Sequence, residues 1–465
     1  MAFTTGFKFE VLLRTGNYVA AIAEMQRNAP ALASRCVWAY YRLGCYASVI
    51  EAARRPSCSQ EAMAIGVSLA ACGFIEKGSQ LLLDAADSGL LRGSALEAAA
   101  ISIAQYNPDT ALSLISKCAR PNAILKASIL LATNRPDMAS ALLDEAPPKN
   151  NIGLSAEKQL ILANLSDDQA LKNQFLNSFF SAHALAPVER ANNNKPISAS
   201  NIRTAIRPGS VRGPLVSVIV PAYNTETRIK AAIESLLAQT YRDIEIIVSD
   251  DCSSDNTRSI VSELSAADMR VNLIALKENS GPYAARNAAL KICKGEFVTC
   301  HDSDDWAHPS KIEQQVIPLL KSKRLMFTTS QWVRLQDDGM FYARQVYPLT
   351  RLNPASPLMR RAVAIERLGF YESVRSGADS EYLARMRLEF GKGSGKRISK
   401  PLSLGAHRPG SLMTDAITGT GRGAPMNPER LDYWERWNHR HIRCVAECNP
   451  LYTPMDAAHE LATAT

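Results

Sequence analysis

Three carboxylates stand within four positions directly after a short apolar run. The run, Phe297–Cys300, has the composition of a β-strand, and Asp302, Asp304 and Asp305 follow it. A buried strand of this kind delivers the acidic cluster to the edge of a sheet, where open α/β folds bind ligands. Carboxylates at i and i+2 can converge on Mg²⁺ or Mn²⁺, which accept oxygen ligands and keep room for phosphate. The spacing therefore predicts a metal site, although the same spacing also occurs in solvated turns.

The segments on both sides of this cluster alternate between strand and helix patterns. Leu215–Val220 predicts a buried parallel strand, and the amphipathic run Glu226–Ala238 predicts the helix after it. Further strands are predicted at Ile244–Ser249, Val271–Leu276, Glu296–Cys300, Leu325–Leu335 and Met340–Val346, and further helices at Tyr283–Cys293 and Lys311–Leu320. This alternation predicts a doubly wound sheet that carries each polar motif at the carboxyl end of a strand.

Four of these motifs resemble those of family 2 glycosyltransferases with the GT-A fold. They are Pro221-Ala222-Tyr223-Asn224, Asp250-Asp251 with Asp255, the stretch from Asn279 that includes Arg286, and Asp302-Ser303-Asp304-Asp305. The motifs stand in the family's order, and the resemblance covers about Pro214 to Pro409. It implies an α/β GT-A fold, which is Rossmann-like with a mixed central sheet and helices on both faces. It also implies an inverting, metal-dependent transferase that uses a nucleotide-sugar.

The resemblance implies roles for individual residues. Those expected to bind the nucleotide-sugar are Pro221, Ala222, Tyr223, Asn224, Asp250, Asp251, Arg286, Asp302 and Arg408. Asp251, or its neighbour Asp250, is expected to hydrogen-bond the base. Such a carboxylate can accept a uracil N–H, which predicts a UDP-sugar. Mn²⁺ or Mg²⁺ is expected at Asp304 and Asp302, with Asp304 in direct contact and Asp302 meeting the ribose or a metal-bound water. His407 is expected to be a third metal ligand or a diphosphate contact.

Simpler roles are open for several of these residues. Asp250 and Asp251 can cap the helix that follows them, and Asp255 is expected to do so. Arg286 can form a surface salt bridge instead of pairing with a diphosphate. A lone histidine such as His407 is more often structural than a metal ligand.

The catalytic base is expected in the stretch Gly377-Ala378-Asp379-Ser380-Glu381. The family typically has Gly-Glu-Asp here, so Ala378 replaces the glutamate and Asp379 keeps the acid. N–H groups at a helix N-terminus stabilise an ionised carboxylate, as a general base requires. Glu381 is the competing candidate, and either residue can instead cap the helix. The missing glutamate puts the positioning of the acceptor in doubt more than the chemistry.

The region from Phe7 to about Ala184 is rich in Ala and Leu and predicts helix after helix. Turn signals recur roughly every 27 to 34 residues, which is the length of a helical hairpin in repeat proteins. The pattern resembles degenerate tetratricopeptide-type hairpins in architecture. Such a region can bind a protein partner or the acceptor, or can simply stabilise the chain.

Four regions are predicted along the chain. They are a helical repeat domain at 1–186, a linker at 187–213, the GT-A domain at 214–410, and a lid segment with an amphipathic helix at 411–465. The last helix, from Pro428, combines aromatic and basic residues. It is expected to pack on the catalytic domain, with an anionic membrane surface as the alternative.

Composition limits the cellular setting. The chain has 465 residues, a net charge of +8 and ten scattered cysteines without a Cys-x-x-Cys pair, which favours a reducing compartment and no zinc site. No apolar run approaches the ~20 residues of a membrane span, and the N-terminus lacks a signal-peptide pattern. We expect a cytoplasmic protein, or one peripheral at the inner face of the membrane, that does not bind nucleic acid.

The sequence thus predicts a transferase that moves a sugar, with UDP as the expected carrier, to a glycan or glycolipid acceptor in surface polysaccharide biosynthesis. The alternative is a catalytically inactive scaffold that binds nucleotide and a protein partner, which Ala378 keeps open. A nucleotidyltransferase would show a Gly-rich, basic loop after its first strand, and Pro221 to Asn224 is not one.

Overall fold

The computed structural model describes residues 2–29, 34–145, 152–204, 209–415, 419 and 421–455. The chain divides into two compact units. The helical unit comprises Met1–Pro147, Ala343–Pro348 and Pro409–Leu451, and the sheet unit comprises Pro148–Tyr342, Leu349–Arg408 and Tyr452–Thr465. These divisions differ from the predicted ones at 186, 213 and 410, because three separate segments of the chain contribute to the helical unit.

The described residues contain the following helices and strands. The helices are α1 (Ala2–Arg14), α2 (Tyr18–Asn28), α3 (Val37–Leu43), α4 (Tyr46–Ala52), α5 (Ser59–Ala71), α6 (Ile75–Asp87), α7 (Ser94–Ile103), α8 (Pro108–Ser116), α9 (Ala123–Ala132), α10 (Pro136–Glu145), α11 (Ile152–Leu165), α12 (Gln169–Ala182), α13 (Ile229–Leu237), α14 (Thr257–Ala267), α15 (Pro282–Ile292), α16 (Lys311–Lys321), α17 (Arg361–Leu368), α18 (Ala378–Phe390) and α19 (Pro428–Glu447). The strands are β1 (Val188–Arg190), β2 (Ile202–Thr204), β3 (Val216–Ala222), β4 (Ile244–Asp250), β5 (Val271–Ala275), β6 (Phe297–Cys300), β7 (Trp306–Ala307), β8 (Phe327–Gln336), β9 (Phe341–Tyr342), β10 (Arg351–Leu352), β11 (Leu358–Arg360) and β12 (Gly395–His407).

Successive helices of the helical unit pack as neighbours, α1 with α2, α5 with α6, α7 with α8 and α9 with α10. The predicted helical character of this region is confirmed. Small residues allow close packing between α5 and α6, since a Cβ added to Gly78 would lie 2.2 Å from the carbonyl oxygen of Gly66. Turn chemistry separates the helices. Gly44 ends α3 with a φ of +78°, and the Asn107 side chain accepts the N–H of Thr110 to begin α8.

Helix α19 packs within the helical unit, against α2 and α4. Trp434 donates its Nε1–H to the carbonyl oxygen of Leu43 at 2.7 Å. Glu435 accepts the N–H of Ala47 and the hydroxyl of Ser48, so it caps the start of α4. The aromatic side chains expected at a membrane or on the catalytic domain are therefore covered by the helices of their own unit. The predicted lid, Thr414 to Gly423, lies partly outside the described residues.

The sheet unit is built on a ten-stranded mixed sheet with the main order β5-β4-β3-β6-β11-β8-β12-β7. Strands β5, β4, β3 and β6 are parallel, and β11 lies antiparallel between β6 and β8. The first strand of the unit's parallel part, β3, therefore lies between the second and the fourth. This reversal of strand order creates a crevice at the carboxyl ends of the strands, where ligands bind in open α/β folds.

Alternating residues of the sheet face two apolar layers. Val216, Val218 and Val220 pack with the helices α13, α14 and α16. Ile219, the intervening residue, packs on the opposite face with α15, α17 and α18. The predicted α/β fold, with a mixed sheet and helices on both faces, is confirmed.

Three segments of the sheet unit differ from the prediction. The region predicted as a linker contains the antiparallel pair β1 and β2, held by the Asn201 amide, which donates to the carbonyl oxygen of Pro196 at 2.9 Å. Helices α11 and α12 belong here, since Asn164 donates to the carbonyl oxygen of Phe341 at 2.8 Å. The strand predicted at Met340–Val346 is limited to β9. None of the helices in the described ranges is long and apolar enough to cross a bilayer.

Candidate active site

Two aspartates at the end of β4 have different partners. Asp251 accepts the backbone N–H groups of Ser280 and Gly281, each at 2.8 Å, and so orders the loop that begins α15. Burial raises the pKa of the Asp251 carboxyl, and the two N–H groups oppose this rise. Asp250 is fully buried and accepts Nη2 of Arg258 at 2.9 Å. Both carboxylates therefore hold protein groups in place at the edge of the sheet.

The loop after β3 is tied to the loop after β4. Asn224, with a φ of +48°, donates its backbone N–H to the hydroxyl of Ser253, and its side chain accepts the N–H of Ser254. Of the residues predicted to border the nucleotide, Pro221 and Ala222 lie buried in β3, whereas Tyr223 is 47% exposed. The Tyr223 side chain is therefore accessible to a ligand at this loop.

Asp255 performs the capping role predicted for it. Its carboxylate accepts the backbone N–H of Thr257 at 2.9 Å, next to the start of α14. The other oxygen accepts the N–H of Glu226 at 3.0 Å. Asp255 is thus a structural link between two loops.

Two of the three clustered carboxylates pair with arginines. Arg286 donates Nη2–H to Oδ1 of Asp302 at 2.6 Å, and Arg408 donates Nε–H to Oδ2 of Asp304 at 2.8 Å. The Arg286 side chain is buried, and its Nε and Nη1 have no hydrogen-bond partner in the described part of the chain. Buried donors without acceptors are costly. Arg286 can therefore bind an anion through these two donors. An arginine in a surface salt bridge would not have buried donors left over for this purpose.

The third carboxylate, Asp305, fixes the acidic loop. It accepts the backbone N–H of Ala406 at 2.9 Å, which ties the loop to β12, the strand that ends next to Arg408. Burial raises the pKa of Asp305 and of Asp304, and Arg408 opposes the rise at Asp304. The three acids thus have three different environments.

Asp379 lies at the second residue of α18. The Tyr283 hydroxyl donates to its Oδ1 at 3.1 Å. The ring of Tyr283 lies under the guanidinium of Arg286, with 5.0 Å from the ring centroid to Cζ. Asp302, Arg286, Tyr283 and Asp379 therefore form a continuous set of contacts, which we call the four-residue series. Through Tyr283, this series links Asp379, the expected base, to Arg286, which is expected to bind the diphosphate.

Glu381, the competing base candidate, is part of a buried ion pair. Its two carboxylate oxygens accept Nε–H and Nη2–H of Arg385 at 3.0 and 2.8 Å, and both side chains are fully buried. A carboxylate in this position cannot meet an acceptor hydroxyl. Ala378, which stands where the family typically has glutamate, is also fully buried, in the same apolar cluster as Tyr283.

The predicted metal ligands are brought together only in part. Across the described ranges, no group of three or more His, Cys, Asp and Glu side chains could hold a metal ion. His407 instead stacks on Tyr342, with 3.8 Å between ring centroids and 7° between planes. The set of Asp302, Asp304 and His407 is therefore not assembled. Two carboxylates still suit Mg²⁺ or Mn²⁺ chemically, because such ions often take their other ligands from phosphate and water.

Lys311 is a buried residue of this region that sequence reasoning missed. It lies at the start of α16, 1% exposed, and donates Nζ–H to the carbonyl oxygen of Cys300 at 3.5 Å, behind the acidic loop. Burial lowers its pKa to about 8. A signal was present, because Lys311 shares the apolar face of its helix with Ile312 and Gln315.

Comparison with known proteins agrees with these motifs. The family described as Glycosyl transferase family 2 matches residues 217–371. The Escherichia coli protein named UDP-Glc:alpha-D-GlcNAc-diphosphoundecaprenol beta-1,3-glucosyltransferase WfgD is 46% identical over 108 residues, which are 23% of this chain and 42% of WfgD. WfaP, named for the same activity in the same organism, is 42% identical over 120 residues, covering 25% of this chain and 46% of WfaP. The chain thus spans less than half the length of these relatives.

Among solved structures, the chain is similar to S. aureus TarS 1-349 in complex with UDP-GlcNAc, with 23% identity and a TM-score of 0.38. The alignment covers 49% of this chain and 66% of TarS 1-349. The family match spans the motifs at the carboxyl ends of β3, β4 and β6. Residues 217–371 therefore form a family 2 glycosyltransferase domain.

Proposed function

We propose that this protein transfers a sugar, with inversion, from a UDP-sugar to a hydroxyl of a glycan or lipid-linked glycan in surface polysaccharide biosynthesis. The observation that carries the proposal is the four-residue series, in which Tyr283 links a carboxylate at a helix start to a buried arginine with unused donors. The names of WfgD and WfaP support the class of donor and of acceptor.

The nucleotide would lie on the loops after β3 and β4. Tyr223 offers an exposed ring to the base, and Asp251 is the proposed acceptor of the base N–H. Each Asp251 oxygen accepts one backbone N–H, and a carboxylate oxygen has a second lone pair for another donor. Asp250 is the weaker candidate because Arg258 pairs with it and the side chain is fully buried.

The diphosphate would lie against Arg286 and Arg408. A planar guanidinium suits phosphate oxygens, and charge-assisted hydrogen bonds to a leaving diphosphate strengthen as its negative charge grows. Asp302 and Asp304 are the residues that would hold a divalent ion. When bound, such an ion would act as a Lewis acid toward the diphosphate.

Asp379 is the proposed general base. Its carboxylate would take the proton of the acceptor hydroxyl while the hydroxyl oxygen attacks the anomeric carbon and the bond to the diphosphate breaks. Attack from the face opposite the leaving group gives inversion. Glu381, the alternative base, is fully buried in its ion pair with Arg385, which supports Asp379 instead.

The test uses the full chain with UDP-glucose, UDP-GlcNAc, UDP-galactose and GDP-mannose. We expect UDP and one UDP-sugar to raise the thermal midpoint, because a ligand that binds the native state stabilises it. We also expect turnover of that UDP-sugar, measured as UDP released, to be stimulated by Mn²⁺ and abolished in Asp304→Asn. Asp432→Asn, which changes an exposed ion pair with Arg436 on α19, is the matched control.

Three results would contradict the proposal. Stabilisation by UDP without turnover of any donor, equal in the wild type and in Asp379→Asn, would support the inactive scaffold. Stabilisation by GDP-mannose alone would overturn the choice of uracil. A product that retains the anomeric configuration of the donor would exclude inversion.

A further inference from the structure

We propose that Tyr283 is a positioning residue that couples the diphosphate clamp to the catalytic base. The inference rests on the proposed function and adds a residue to it. Tyr283 lies in the first turn of α15, and its ring and hydroxyl face two different partners. The ring would hold Arg286 for the donor, and the hydroxyl would hold Asp379 for the acceptor.

The hydroxyl of Tyr283 is fixed at the start of α18. It donates to Oδ1 of Asp379 at 3.1 Å and accepts the backbone N–H of Gly377 at 3.2 Å. The backbone N–H of Ser380 also donates to Oδ1 of Asp379, at 2.8 Å. Both hydrogen bonds that the structure describes for this carboxylate therefore go to one oxygen. They orient Oδ2 as the oxygen that takes the proton of the acceptor.

The ring of Tyr283 stabilises the arginine that would bind the diphosphate. The Arg286 guanidinium carbon lies 5.0 Å from the Tyr283 centroid and 5.9 Å from that of Tyr371. The two tyrosine rings lie 5.9 Å apart, so they form one aromatic support. Interaction with ring faces favours a cation while leaving its N–H groups in the guanidinium plane available for an anion.

Neighbouring residues make room for this arrangement. Tyr283 is 6% exposed, so its hydroxyl requires protein partners, which Asp379 and Gly377 provide. Ala378, fully buried in the same apolar cluster, contributes no polar atom to the start of α18. The glycine before it has a φ of +92°, which suits the turn that presents its N–H to Tyr283. The large side chain of Tyr283 and the small side chain of Ala378 are thus buried in the same apolar cluster.

Two substitutions separate the hydroxyl from the ring. Tyr283→Phe removes the hydrogen bond to Asp379 and keeps the ring under Arg286. Tyr283→Leu removes both. Each variant is made in the full chain and assayed with the UDP-sugar that the wild type uses, with donor concentration as the variable.

We expect Tyr283→Phe to lower kcat about 10-fold, the size expected for a lost hydrogen bond to a charged group, with the donor KM within about two-fold of the wild type. Tyr283→Leu should lower kcat as much and should also raise the donor KM about five-fold, since Arg286 loses a ring face.

A structural role alone predicts other results. If Tyr283→Phe keeps the wild-type kcat, or if both variants lose only folded protein with kcat and KM of the folded fraction unchanged, the inference is wrong. If the wild type turns over no donor, the proposed function fails first. The proposed support of Arg286 by the Tyr283 ring is then tested by measuring UDP affinity by calorimetry. Tyr283→Leu should bind UDP about five-fold more weakly than Tyr283→Phe. Equal affinities would overturn that part as well.

Discussion

Asp379 and Glu381 lie two positions apart on α18, yet the structure predicts opposite consequences for their neutralisation. In Asp379→Asn the new amide oxygen can still accept from Tyr283, and loss of a charge at a helix start costs about 0.3 to 1 kcal/mol. Removal of a general base, in contrast, lowers kcat about 10²- to 10⁴-fold. We therefore expect a folded, nearly inactive protein.

Glu381→Gln should show the reverse. Arg385 donates to both oxygens of Glu381 and also to the carbonyl oxygens of Leu368 and Phe370, all within a fully buried site. Neutralising the glutamate leaves a buried guanidinium without its counter-charge, which costs about 3 to 5 kcal/mol. The retained amide hydrogen bond places the expected loss at the lower end, about 3 kcal/mol. The folded fraction should keep its kcat.

The assay measures both quantities on the same preparations. Thermal unfolding gives the midpoint, and UDP release, normalised to folded protein, gives kcat. Glu389→Gln is the control on the same helix, since its partner Arg367 is half exposed and such a pair contributes little. If Glu381→Gln loses turnover while keeping its unfolding midpoint, and Asp379→Asn stays active, the assignment of the base is refuted.

Three further predictions follow from other contacts. Arg286→Gln should weaken UDP binding about 10- to 100-fold by calorimetry, because a buried charged donor is lost, whereas Arg212→Gln, which changes an exposed ion pair, should not weaken it. Lys311 has its pKa lowered by burial to about 8, so between pH 8 and 10.5 the unfolded state binds more protons and stability rises with pH. The difference in unfolding free energy between wild type and Lys311→Met should therefore change by about 2 to 3 kcal/mol across this window, in favour of the wild type, and a constant difference would contradict the burial of the charge. Gly78→Ala should lower the stability of the helical unit by about 1 to 3 kcal/mol, because its Cβ would meet the Gly66 carbonyl, while Gly421→Ala meets open space and should be nearly neutral in chemical denaturation.

Local patterns predicted the sheet and its polar edge well, for a physical reason. Parallel strands place their carboxyl ends on one edge, so motifs that follow β3, β4 and β6 must lie near each other whatever the loops do. That Asp302 lies close to Arg286 at this edge could thus be expected. The capping role of Asp255 was equally local, since its partners lie nearby in the two adjoining loops.

Contacts between distant segments could not be predicted in this way. The stacking of His407 on Tyr342 depends on the pairing of both β9 and β12 with β8. The sequence alone does not distinguish a histidine that stacks on a ring from one that binds a metal. Packing of α19 on α2 and α4 joins the two ends of the chain. Amphipathicity shows that a helix has an apolar face but does not identify the surface that covers it.

The threading of the chain through its two units has a practical consequence for anyone dissecting it. A fragment starting at residue 187 would lack the α11–α12 hairpin, whose Lys172 ammonium donates to the carbonyl oxygens of Ala163 and Gly339. If that fragment ended at Arg408, it would still contain Ala343–Pro348, a segment that belongs to the helical unit. Deletion of the amino-terminal half therefore strips apolar partners from Val346 and Tyr347, which pack in the helical core. We therefore expect expression of either half alone to yield aggregates.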